Sequence, residues 1–277
     1  WSAALIADYL SPSGFVVSLQ NGFNEGIIGG IIGPHRVIGC VASTLGAELI
    51  GSGHVNRSYR PGGSKHYVFR VGEIDSRKTQ RVAIVVQLLS KVDSATETTN
   101  LWGERWSKLV ANAISNPLAS ITGLNDREMA VNPRVRNIFI RIGVEAIAVG
   151  QAMGYTLDNI HGIEANRWID ASNSLEDLHE DLKQMADRAT DNGRPSTPVD
   201  IALGRRTELD FFNGLVISEG ARLDIPTPVN VAALKLVSCI ENDLLLPDPK
   251  NIELLEQSIK GNPQNFLVNL KSRDAKR

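Results

Sequence analysis

The sequence predicts an α/β part at its amino end, carrying the later strands of a doubly wound parallel sheet, followed by an all-α part. Three observations carry this. Short apolar strand-like runs alternate with a helix-like run up to about residue 45. Beyond residue 100, apolar residues recur at a period near 3.6 almost without interruption. A polar run, Ser94-Ala-Thr-Glu-Thr-Thr-Asn100, separates the two and predicts the boundary. The expected division is 1–98 for the α/β domain, 99–270 for the helical domain and 271–277 for a mobile basic tail.

Taken in order, Trp1 to Leu10 reads as an amphipathic helix with no signal-peptide layout. Gly14 to Gln20 is a buried-strand pattern that ends at Asn21-Gly22. Asn24 to Gly33 predicts a helix stopped by Gly33-Pro34, and Arg36 to Ala42 the next strand. Ligands of such sheets bind outside the carboxyl ends of the strands, so Asn21 stands where it can reach one. An Asn-Gly turn needing positive φ explains the same dipeptide locally. Gly26, Gly29, Gly30 and Gly33 miss the G-x-G-x-x-G spacing and lie in or after the helix instead of before it. Residues 48–51, 53–56 and 67–72 predict β-structure, with a turn at Pro61-Gly62-Gly63, and 81–89 a helix or a buried strand, length favouring the helix. Further helices are expected over 101–120, 133–154, 173–190, 197–203, 206–223, 228–244 and 250–260.

Composition bounds the function. At 277 residues, 42% hydrophobic and 22% charged, the chain can bury a core in each of two domains. A formal net charge of −2 gives no basic surplus for nucleic acid, and no apolar run is long enough for a membrane span. Cys40 and Cys239 are far apart and outside any metal-type spacing. They predict packed thiols and a reducing, cytoplasmic setting. The five histidines form no HxxxH pair, so no metal is expected.

One stretch stands out, Trp106-Ser-Lys-Leu-Val-Ala-Asn-Ala-Ile-Ser-Asn-Pro117. Lys108, Asn112 and Asn116 lie four apart, hence on one side of a helix at successive turns. An ammonium followed by two carboxamides can hold a small polar oxyacid by its carboxylate, hydroxyl and carbonyl. A solvated helix face explains the same pattern, although Asn is a poor mid-helix residue and two invite a reason. A second polar cluster runs from Arg194 to Gly214. Ser196 can cap the helix that follows, and Glu208 and Asp210 suit the start of the next. Alternatively, Glu208 faces the cleft of Lys108 and keeps the ammonium charged and aimed. A lysine of pKa ~10.4 is a ready proton donor at neutral pH.

These residues resemble the 2-dehydropantoate 2-reductase (ketopantoate reductase) family in three separated stretches. The first is Ser18-Leu-Gln-Asn-Gly22 with Asn24-Glu25 and Gly33-Pro-His-Arg-Val37. The second is Leu101 through Leu118, with Lys108, Asn112 and Asn116. The third is Ser196 through Gly214, with Asp200, Gly204-Arg205, Thr207-Glu208 and Asp210, then Gly220 and Ile225 to Asn230. The resemblance implies the C-terminal portion of a Rossmann-type sheet lacking its first βαβ, NADP as cofactor and a small 2-oxo acid as substrate. It implies that Lys108 donates the proton to the ketone oxygen, that Asn112, Asn116 and Ser196 contact substrate, that Glu208 lies near the reacting groups and the cofactor, and that Asn21 faces the cofactor. One family asparagine falls at Asp126, with Asn125 beside it as the candidate substrate contact. The family's opening strand, G-x-G-x-x-G turn and helix have no counterpart, so the chain is expected to be a piece of a longer one. The expected function is NADPH-dependent reduction of 2-dehydropantoate to pantoate, as a possible homodimer. A non-catalytic dimerisation or binding module and a reductase of another 2-oxo acid stand as alternatives.

Overall fold

The computed structural model describes residues 1–43, 45–57, 62, 67–171, 178–183 and 195–260. It divides into two compact units, one formed by 1–109 with 155–158, the other by 110–154 with 159–277.

The first unit opens with a short helix, α1 (Ser2–Ile6). Strand β1 (Val16–Ser18), helix α2 (Glu25–Ile32) and strand β2 (Val37–Ala42) then make a strand–helix–strand unit whose strands pair in parallel. Strands β3 (Ala47–Gly51) and β4 (His54–Arg57) pair as a separate hairpin. Strand β5 (Phe69–Glu73), helix α3 (Gln80–Leu89) and strand β6 (Ala95–Glu97) repeat the parallel unit.

The four-stranded sheet runs β1-β2-β5-β6, and β5 is antiparallel to β2. The sheet is therefore mixed where the strand–helix rhythm predicted a parallel one. The reason is the connection: β2 leads into a hairpin, not a crossover helix, and the chain re-enters the sheet in the opposite direction. The polar run 94–100 contains β6 instead of serving only as a linker.

Strand β2 is buried from Val37 to Val41, matching its nearly continuous apolar sequence. With Val68, Phe69 and Val71 it packs on Val82 and Val85 of α3 to form this unit's core. Gly39 and Gly72 face each other across β2 and β5. A Cβ on Gly39 would lie 2.5 Å from Leu101 Cδ2, and one on Gly72 2.7 Å from the Thr98 carbonyl. The two glycines thus make the room in which the next helix is seated.

That helix is α4 (Leu101–Thr122), which passes from the first unit into the second. The second unit continues with α5 (Asp126–Val131), α6 (Pro133–Ala152), α7 (Ala165–Asp170), a helical turn at 178–183, α8 (Ser196–Ala202), α9 (Leu209–Arg222), α10 (Pro228–Glu241) and α11 (Asn251–Lys260). Asn132 caps α6, accepting from Arg134 N and Val135 N, and prolines occupy the first positions of α6 and α10, where no intrahelical donor is lost. Helices α5 and α7, six residues each, are not predicted by the sequence, because fewer than two turns are too short to establish an apolar period. Most of the predicted 173–190 helix, most of the Pro61–Gly63 turn and the 271–277 tail lie outside the described residues. Among the described residues no helix is long and apolar enough to cross a membrane, and no three His, Cys, Asp or Glu side chains gather as a metal site. Cys40 and Cys239 are buried free thiols, and burial pushes Cys40 up to about 12.

Candidate active site

Lys108 lies on the first half of α4, and its Nζ donates to the carbonyl of Ala42 at 2.6 Å. Ala42 is the last residue of β2, so the ammonium stands at the carboxyl end of that strand. The adjacent parallel strand β1 ends at Ser18, three residues before Asn21, on the same side. The sequence places Asn21 at a strand end and Lys108 on a helix face; in the structure Lys108 Nζ meets the end of β2, beside the strand that leads to Asn21. Gly22 takes the positive φ, at 81°, and the Asn21 carbonyl accepts from Asn24 Nδ2 at 2.7 Å.

Arg105, one turn before Lys108, binds this edge from beneath. Its Nη1 donates to the Gln20 carbonyl at 2.5 Å and its Nη2 to the Ser18 carbonyl at 2.7 Å. The same guanidinium pairs with Glu25 at the start of α2, and both side chains are buried. One cation therefore ties the end of β1 and the beginning of α2 to the helix that carries Lys108. Both residues fall in stretches that carry the family resemblance, but nothing in the sequence pairs them, since two charges 80 positions apart leave no local pattern. A second tie is the 155–158 segment. Asn100 Nδ2 donates to the Thr156 carbonyl at 2.8 Å, and Asp158 N–H donates to Ser107 Oγ at 2.8 Å. Phe23, Trp106 and Tyr155 pack their rings within about 6 Å of one another around it.

In the second unit, Asn112 is half-buried and Asn116 is buried on the two turns of α4 that follow Lys108. Ser196 is exposed as the first residue of α8 and makes no capping bond. The cap predicted for it is not formed because Pro195, with φ −58° and ψ 159°, already occupies the non-helical cap conformation. Glu208 occupies the cap position of α9 without a side-chain bond to that helix's amides, and Asp210 follows in its first turn. Asn125 caps α5: its side chain accepts from Glu128 N at 2.9 Å, and the Glu128 carboxylate accepts from Asn125 N at 2.8 Å. The capping box gives Asn125 a structural task whatever else it touches. Burial raises its neighbour Asp126 to about 6.

Within this unit one apolar cavity is lined by Ala119, Ser120 and Leu124, by Pro195, Pro198 and Ile201, and by Gly123 and Pro247. It joins the turn of α4 after Asn116, the residue before Asn125 and the start of α8 beside Ser196. His161 is half-buried beside α4, its Nε2 3.5 Å from Ser115 Oγ, and desolvation lowers its pKa to about 4.

A strand edge bearing an amide and an ammonium, with a helix that runs on into an all-helical unit bearing carboxamides, defines a class: oxidoreductases built from a Rossmann-type α/β part and an all-α part. Comparison decides the family. The family described as "Ketopantoate reductase PanE/ApbA C terminal" matches residues 100–241. The 2-dehydropantoate 2-reductase of Archaeoglobus fulgidus is 30% identical over 234 residues, 84% of this chain and 70% of that protein. That of Pyrococcus horikoshii is 27% identical over 230 residues, 82% of this chain and 67% of that protein. Among solved structures, the PanE/ApbA family ketopantoate reductase from Ralstonia eutropha JMP134 superposes with a TM-score of 0.67 at 26% identity, over 87% of this chain and 72% of that one. D-mandelate dehydrogenase in complex with NADH shares the fold, with a TM-score of 0.71 at 20% identity over 88% and 75%. The chain belongs to the ketopantoate reductase family.

Proposed function

We propose that this chain reduces 2-dehydropantoate to pantoate with NADPH as the hydride donor. The observation that carries this reading is the seat of Lys108 Nζ on the Ala42 carbonyl, at the strand edge that also leads into Asn21. An amide and an ammonium at the carboxyl ends of two parallel strands fit the nicotinamide end of a dinucleotide. Asn21 would hold it there, and the bound cofactor supplies the hydride; the role of Glu208 toward cofactor and reacting groups rests on the family resemblance. The sequence has no G-x-G-x-x-G turn of the kind that cradles a pyrophosphate. The preference for NADPH over NADH rests on the family.

Lys108 delivers a proton to the ketone oxygen, and its charge stabilises the oxyanion as it develops. Asn112 and Asn116, one and two turns further along α4, orient the oxo acid through its carboxylate and hydroxyl oxygens. Ser196 adds a hydroxyl contact. Asn125 contributes with whatever its capping bond leaves available. The apolar cavity beyond Asn116 suits a branched aliphatic carbon chain better than a second charged group.

The test is a titration of the purified chain with NADPH, followed by addition of 2-dehydropantoate while cofactor oxidation is monitored. Saturable binding with substrate-dependent oxidation is expected. A folded chain that neither binds NADPH nor oxidises it on adding the oxo acid would refute the activity for this chain.

A further inference from the structure

Pro117 lies inside α4. A proline has no N–H, so the carbonyl four residues back, Ala113, loses its intrahelical donor. Ala113 is buried, as are its neighbours Ile114 and Asn116. Asn213 on α9 supplies a substitute: its Nδ2 donates to the Ala113 carbonyl at 2.9 Å. The same Nδ2 donates to Asn230 Oδ1 at 2.9 Å. Asn230 is in turn oriented by Glu145 on α6, which accepts from Asn230 Nδ2 at 2.7 Å and from the backbone amides of Val229 and Asn230 at 2.9 and 3.0 Å. The amide of Asn230 points its nitrogen at the carboxylate, so its oxygen faces Asn213. Asn213 must then present its nitrogen, which is what the proline-orphaned carbonyl needs. Both asparagines are fully buried, and Asn213 Oδ1 has no hydrogen-bond partner among the described residues. An amide held in this orientation with its acceptor unpaired is there for what its donor does.

We propose that Asn213 is a positioning residue: it replaces the hydrogen bond that Pro117 removes from α4 and thereby sets the stretch of helix that carries Asn112 and Asn116. Ala113 lies between those two residues. A side-chain donor from a neighbouring helix fixes the backbone there more firmly than a solvated gap in the ladder. The inference deepens the proposed function and rests on it only for the identity of the oxo acid.

A double-mutant cycle tests it. In Pro117→Ala the residue at 117 regains an N–H for the Ala113 carbonyl. Asn213→Ala in the proline-containing chain should shift the side-chain amide resonances of Asn112 and Asn116 and raise KM for 2-dehydropantoate about tenfold, with kcat changed less. Both effects should largely vanish when Asn213→Ala is made in the Pro117→Ala background. Equal effects in both backgrounds, or unmoved resonances in the proline-containing chain, overturn the proposal. If Asn213→Ala does not fold, folding of the double variant supports the link and failure of both overturns it. A wild-type chain that folds but never turns over 2-dehydropantoate refutes the proposed substrate, while the resonances still decide the role of Asn213.

Discussion

Lys108 Nζ donates to the Ala42 carbonyl at 2.6 Å, and this bond places a cation from α4 on the last residue of β2. A long, flexible side chain is thereby given one position at the strand edge. Lys108→Ala is expected to lower kcat for 2-dehydropantoate by about 10²–10⁴-fold, the usual range for loss of a positioned general acid. The far-UV signal should be unchanged. Lys108→Arg should rescue little, because a guanidinium keeps its proton. Steady-state rates of the two variants decide this, and near wild-type kcat in Lys108→Ala would remove the lysine from the chemistry.

The Arg105–Glu25 pair should behave as a buried ion pair does. Removing one partner strands the other: Arg105→Ala is expected to destabilise the fold by about 3–5 kcal/mol. The paired replacement Arg105→Met with Glu25→Gln should recover part of that loss, since no charge is then left unpaired, while the Ser18 and Gln20 carbonyls still lose their donor. Urea midpoints of the single and double variants make the comparison. A single variant as stable as wild type contradicts the burial of the pair, whose side chains are 3% and 0% exposed.

Two glycines make opposite predictions. A Cβ on Gly103 would lie 1.9 Å from the Thr156 carbonyl, a backbone atom that cannot swing away. Gly103→Ala should destabilise by about 1–3 kcal/mol or more, as overpacking does. At Gly30, inside α2, an added methyl would meet nothing within 4 Å. Gly30→Ala should stabilise by about 0.5–1 kcal/mol through lower unfolded-chain entropy and better helix propensity. Thermal midpoints of the two variants should therefore move in opposite directions.

Stability should depend on pH through two groups acting with opposite sign. His161 is lowered to about 4 by burial, so between that value and the ordinary ~6.5 the unfolded chain binds a proton that the folded chain refuses. Its contribution is intact above ~6.5 and is lost as the pH falls toward 4. Asp126 is raised to about 6 by burial, so the folded chain holds its proton more tightly than the unfolded chain. Its contribution is largest at low pH and is lost as the pH rises through about 6. Asp126→Asn should accordingly be more stable than wild type at pH 7 and no more stable near pH 4. His161→Asn, which tolerates the local φ of +52°, should flatten the acid limb. Denaturant midpoints across this range check both, and an unchanged acid limb in His161→Asn would show that another group controls it.

Much of this protein is legible in its residues one at a time. The 3.6 period gives α4, α6, α9 and α10, the apolar run from Val37 gives β2, and the four-residue spacing gives a helix face bearing Lys108, Asn112 and Asn116. Those features follow from local geometry, because a helix or strand fixes which neighbours share a side before anything packs against it. Only the tertiary structure decided the rest. It turned β5 antiparallel to β2, set Arg105 against the end of β1 and brought Asn213 to the carbonyl that Pro117 had orphaned. Each depends on groups 17 to 100 positions apart, or on a backbone group seeking a partner that the regular helix or strand cannot provide. The sequence determined the elements and the chemistry on their faces. The cost of leaving a buried charge or backbone carbonyl without a partner, met by Arg105 with Glu25 and by Asn213 with Ala113, decided these long-range contacts.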